Sequence, residues 1–114
     1  VPGRGFVELV AGDREDTPEA EACVRAVVEP MLERGADQIV LGCTHYPFLR
    51  PVLDRIVAGR DVRIVDPSPA VARRVAELLD RGGLRAAPDH LPRYEFITFA
   101  DEAYRLRLVR KALG

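Results

Sequence analysis

Two short β-branched runs, each followed closely by a proline that opens a helical pattern, constrain this chain more than any other feature. The first covers residues 37–42 (D-Q-I-V-L-G) and the second residues 62–66 (V-R-I-V-D). Branching at Cβ restricts rotamers in a helix and suits a pleated surface, so short apolar runs bounded by turn residues read as buried strands. Between them Pro47 sits where a first helical turn would begin, and Leu49, Val52, Leu53 and Ile56 recur with helical period to about Val57. Pro51 makes that helix short or irregular. Strand, crossover helix and strand are the signature of a parallel pair, so the class is α/β: a parallel sheet flanked by helices, expected on both faces.

The remaining pattern extends this reading. Thr17-Pro18 with Glu19 and Glu21 supplies an N-cap, a proline at the first helical position and early acidic residues. Apolar residues from Ala22 to Leu32 then recur at helical spacing, Gly35 supplies a stop, and Pro30 predicts a kink or break. Pro67-Ser68-Pro69 leads into a helix carrying Val71, Val75, Leu78 and Leu79 that ends at Gly82-Gly83. Residues 84–93, with two prolines, are a loop; residues 94–99 alternate as a third strand; Asp101 caps a final helix through Ala103, Leu106 and Val109. Residues 5–10 form a short helix or a strand. Val1 standing where a methionine would start points to a processed chain, a fragment of a longer one or a start codon read literally, and a sheet of three strands, with its open edge, adds to the expectation that partner segments are missing.

Composition narrows the chemistry. The 114 residues carry 17 basic and 18 acidic side chains, a net charge of -1 with both signs dispersed. Nucleic acids and membrane surfaces require clustered positive potential, so neither is expected as a partner. No apolar run approaches the roughly 18 residues of a membrane span, and a cytoplasmic location is expected. Sixteen of the seventeen basic residues are arginine, and the one lysine, Lys111, lies in the terminal helical pattern, away from any strand end that could host a pyridoxal Schiff base. The two cysteines, Cys23 and Cys43, are too few for a disulfide scaffold or a four-thiolate zinc site, and no metal site is expected. Cys23, among valines at helical spacing, reads as core.

In open parallel sheets, ligands bind at the carboxyl ends of strands. One such end reads Gly42-Cys43-Thr44-His45-Tyr46-Pro47. Gly42 permits close backbone approach, Cys43 stands at the strand exit, and His45 is positioned to assist the thiol, while the amides of a following helix favour a thiolate or a docked carboxylate. The other end reads Asp66-Pro67-Ser68, whose carboxylate and hydroxyl either cap the next helix or face the same crevice. These residues permit a thiol nucleophile or a thiol acid/base that exchanges a carbon-bound proton, and periodicity does not choose between them.

Residues 36–49 (A-D-Q-I-V-L-G-C-T-H-Y-P-F-L) resemble the second cysteine motif of the cofactor-independent glutamate racemases. Residues 62–72 are similar to that family's next strand and helix entry, residues 96–101 more weakly to its last strand, and residues 5–10 to its FVxLVE segment, with Ala11 where the family has glutamate. The resemblance implies the C-terminal portion of an isomerase that interconverts L- and D-glutamate for peptidoglycan synthesis through two cysteines on opposite sides of the substrate Cα. It makes Cys43 and His45 catalytic, Thr44 and Gly42 substrate-binding, and Asp66 and Ser68 further candidates. The implied partners are glutamate, the N-terminal half that carries the first cysteine, and a second copy in a homodimer. Residues 1–83 would then be a second-domain segment, and residues 84–114 a loop, strand and helix returning to the first domain of a two-domain fold. Two alternatives stand beside it: a catalytically silent remnant or binding module of the same fold, and a relative of the aspartate or hydantoin racemases.

Overall fold

A computed structural model of the chain describes residues 1–97, 99 and 102–113. The elements run α1 (Phe6–Ala11), α2 (Pro18–Glu33), β1 (Gln38–Val40), a 3-10 turn (Tyr46–Leu49), α3 (Arg50–Val57), β2 (Arg63–Val65), α4 (Ser68–Gly82) and α5 (Glu102–Leu113). They divide into two units, Val1–Ala72 and Arg73–Gly114, and α4 runs through the boundary.

The helix starts follow the local chemistry. Thr17 accepts the Ala20 amide at 3.2 Å through its hydroxyl, and Pro18 opens α2. After α2, Gly35 turns the chain with φ +84°, a conformation that favours glycine. The expected break at Pro30 does not occur, and α2 is one uninterrupted helix. Pro30 stands in its last turn, where one hydrogen bond is lost, and Val24 and Val28, buried in the preceding turns, hold the helix on the core. Residues 5–10 resolve into the helix α1. The predicted irregularity near Pro51 is the junction between the 3-10 turn and α3, with Pro51 inside the first turn of α3.

β1 and β2 pair in parallel, with Gln38 opposite Arg63, Ile39 opposite Ile64 and Val40 opposite Val65. Strand alternation sends Ile39, Leu41 and Ile64 into the core. There they meet Leu9 and Val10 of α1, Val24 and Val28 of α2, Leu49, and Val52, Leu53 and Ile56 of α3. Each such side chain contributes about 1.5–3 kcal/mol of transfer free energy on burial. Within Val1–Ala72 this core lies on one face of the sheet, and Val40, on the other face, is 63% exposed. An arginine–carboxylate chain lies over α2 and α3, running Asp16–Arg55–Glu21–Arg25–Glu29–Arg60.

The expected third strand is also corrected. Residues 94–97 carry no strand, and the sheet among the described residues has two strands. The Tyr94 and Phe96 rings do stack, 6.4 Å apart, as alternate residues of an extended segment can, but alternation alone provides no pairing neighbour. Thr98 and the capping residue Asp101 lie outside the described residues. In the second unit, Arg74 pairs with Glu77, and Arg107 lies 6.0 Å over the Tyr104 ring. No helix among the described residues is long and apolar enough to cross a membrane.

Candidate active site

The site is built where the parallel pair ends. Leu41 donates its amide to Val65 at 3.0 Å, and at Gly42 the chain leaves the sheet. The next residues fold back tightly: the Cys43 carbonyl accepts the Tyr46 amide at 3.1 Å and the His45 carbonyl accepts that of Phe48 at 3.2 Å. This turn gathers three of the candidate side chains. Cys43 Sγ lies 3.9 Å from His45 Nδ1, and Thr44 Oγ1 lies 3.5 Å from the same nitrogen. Nδ1 donates or accepts according to the tautomer, so the imidazole can take a proton from the thiol or return one.

Cys43 is half-buried on the wall of an open cavity of about 470 Å³. Gly42, Cys43 and Thr44 line it from the β1 side, and Pro67, Ser68 and Val71 from the start of α4. His45 is not among the residues that line this wall. Asp66 is not on the wall either. Its carboxylate accepts the Ser68 amide at 2.9 Å. The Ser68 hydroxyl and amide, with a smaller pull from the Arg50 charge, hold the Asp66 carboxyl below its ordinary range. Of the two readings for this strand end, Asp66 is therefore the cap of α4, and Ser68 is both capped and cavity-facing.

Gly42 has no internal reason to be glycine. A Cβ built there meets nothing within 4 Å among the described residues, and its φ lies outside the left-handed region. What the missing side chain leaves open is the approach to the cavity. Tyr46 faces away from the cavity wall: its hydroxyl accepts the Gly3 amide at 3.2 Å, and its ring meets Phe6 edge-on at 5.2 Å. Gly3 approaches so closely that a Cβ there would lie 2.4 Å from the Phe6 ring. The contact ties the start of the chain to the cysteine turn.

Cys23 does not join the site. Its thiol donates to the Arg4 carbonyl at 3.4 Å and packs against the core beneath α1. A second cleft of about 450 Å³ opens at the start of α2, but its charges pair with one another, Arg55 with Asp16 and Arg25 with Glu21, each at 2.8 Å. Among the described residues, no three His, Cys, Asp or Glu side chains converge as metal ligands. Sequence reasoning missed Val71 and Ala72 as cavity residues, because their helical spacing reads as core; their closeness in sequence to the strand-end Ser68 was the available signal.

The family model described as Asp/Glu/Hydantoin racemase matches residues 1–75. A glutamate racemase from Deinococcus radiodurans is 44% identical over 99 residues, covering 87% of this chain and 34% of that protein. One from Roseiflexus sp. is 51% identical over 80 residues, covering 70% of this chain and 29% of that protein. The chain thus spans about a third of the length of these curated relatives. Among solved structures, glutamate racemase from Thermus thermophilus in complex with β-chloro-D-alanine superposes with a TM-score of 0.74 at 33% identity, covering 93% of this chain and 40% of that one.

Proposed function

This chain belongs to the Asp/Glu/hydantoin racemase family, and from that premise we propose that it is part of a glutamate racemase in which Cys43 works one face of the substrate. The single observation that carries the reading is the half-buried Cys43 thiol, on the wall of a cavity and 3.9 Å from an imidazole nitrogen.

The proposed reaction needs only proton transfers. Cys43, as thiolate, takes the α-hydrogen of L-glutamate as a proton: the Cα–H bond breaks, an S–H bond forms, and the electron pair stays on Cα, delocalised into the neighbouring carboxylate. A second thiol on the opposite face then protonates Cα and yields D-glutamate. His45 accepts the Cys43 proton to set up the thiolate, and Thr44, with the open backbone at Gly42, holds the substrate carboxylate. The product would serve peptidoglycan synthesis. A 470 Å³ cavity is ample for an amino acid, and the D-amino-acid derivative named with the Thermus relative is of that class. In this reading the opposing thiol comes from the part of the fold outside these 114 residues, since Cys23 is turned to the Arg4 carbonyl. That same observation favours a second reading for the chain in isolation, a silent remnant that keeps the fold.

The test is exchange of the glutamate α-hydrogen with deuterium from solvent, followed by NMR on the assembled protein. Exchange from L-glutamate that Cys43→Ala abolishes is the expected result. An assembled protein that exchanges neither enantiomer overturns the reading.

A further inference from the structure

The cavity beside Cys43 has two unlike walls, both within the unit Val1–Ala72. The β1 side brings the thiol, the Thr44 hydroxyl and the open backbone at Gly42. The α4 side brings mostly carbon, from Pro67, Val71 and Ala72, and none of the described residues that line the cavity is charged.

The start of a helix ordinarily attracts an anion through its free amides. Here those amides are engaged. Ser68 donates its amide to the Asp66 carboxylate at 2.9 Å, Pro69 has none to donate, and Val71 donates to the Pro67 carbonyl at 3.0 Å. Ala70 does not line the cavity. Asp66 already supplies the negative charge that this helix end favours. The α4 wall therefore sorts a bound molecule by shape rather than by charge.

Val71 is the residue placed to do so. Branching at Cβ leaves a helical valine one strongly preferred rotamer, so it does not swing aside as a longer unbranched side chain would. Its neighbour on the wall, Ala72, carries a single methyl. Val71 is 60% exposed and no part of the core, so internal packing does not dictate a valine there.

We propose that Val71 is a specificity-determining residue of the Cys43 site: with the substrate α-carboxylate at Thr44 and Cα at the thiol, the side-chain methylenes lie against Val71, which sets the longest chain admitted. This rests on the racemase reading above and adds a substrate class to it, straight-chain amino dicarboxylates sorted by length. The distal carboxylate is held by groups other than those of α4.

The test uses the assembled protein and follows α-hydrogen exchange with deuterium by NMR for L-aspartate, L-glutamate and L-2-aminoadipate, each one methylene longer than the last. Val71→Ala raises kcat/KM for 2-aminoadipate relative to glutamate by roughly tenfold or more, and Val71→Leu lowers that ratio by a similar factor. A ratio taken within one preparation does not depend on how much of a variant folds, so a merely structural role leaves it unmoved. Both substitutions suit an exposed helical position. Ratios within about twofold of the unsubstituted protein in both variants, a shift in the same direction in both, or loss of exchange with all three substrates each overturn the proposal. Glutamate exchange with unmoved ratios removes the proposal alone, whereas an unsubstituted protein that exchanges none of the three removes the racemase reading and the proposal with it.

Discussion

Tyr46 is bonded to Gly3 in both directions, its hydroxyl accepting the Gly3 amide at 3.2 Å and donating to the Gly3 carbonyl at 3.5 Å. The pair spans 43 positions and joins the residue after His45 to the segment that leads into α1. Tyr46→Phe removes both bonds and keeps the ring against Phe6. A loss of about 1 kcal/mol is expected in urea denaturation, together with faster hydrogen exchange at the Gly3 amide.

Leu49 is fully buried at the end of the 3-10 turn, directly beyond the cysteine motif. Leu49→Ala leaves a cavity under that turn and is expected to destabilise the chain by about 2–5 kcal/mol. The near-isosteric Leu49→Met should cost less than about 1.5 kcal/mol. Comparison of the two by chemical denaturation checks the assignment.

Acid should weaken the fold through the carboxylates over α2. The Arg25 guanidinium, with help from Arg55, holds Glu21 below the ordinary glutamate range, and Arg60, with Arg25, does the same for Glu29. A carboxyl that titrates lower folded than unfolded contributes fully above its unfolded value, about 4.3, and loses that contribution as pH falls through the folded one. The urea midpoint is therefore expected to drop on the acid side of about pH 4.3, and Glu29→Gln to flatten that drop. The pairs are exposed, so the effect is small and salt reduces it.

His45 touches the thiol rather than the cavity wall. On the proposed racemase reading, His45→Asn in the assembled protein is expected to slow α-hydrogen exchange from L-glutamate by roughly 10²–10⁴-fold, with the loss in kcat rather than KM, since in that reading His45 works through Cys43 and does not hold the substrate. The isolated 114-residue chain is expected to show no racemisation by polarimetry.

Much of the first unit is legible before any coordinates. Thr17-Pro18 announces α2, and the β-branched runs give both strands and their parallel sense. The misreadings share a cause in non-local structure. Pro30 does not break α2, because burial of Val24 and Val28 outweighs one lost hydrogen bond. The residues from Tyr94 alternate correctly and still form no strand, since a strand exists only beside a partner that alternation cannot supply. At the site, the closeness of Cys43, Thr44 and His45 follows from their spacing. The wall made by Val71 and Ala72 does not, because it depends on where α4 begins relative to the end of β1. Which of Asp66 and Ser68 faces the cavity was likewise settled by the turn at Pro67.

The parallel register has a consequence for how the chain is made. Gln38 pairs with Arg63, 25 positions later, so the first strand waits for the second to leave the ribosome, about 1–5 s at ordinary rates of synthesis. During that interval the greasy sides of α1 and α2 lack the part of their lid that Ile64 supplies.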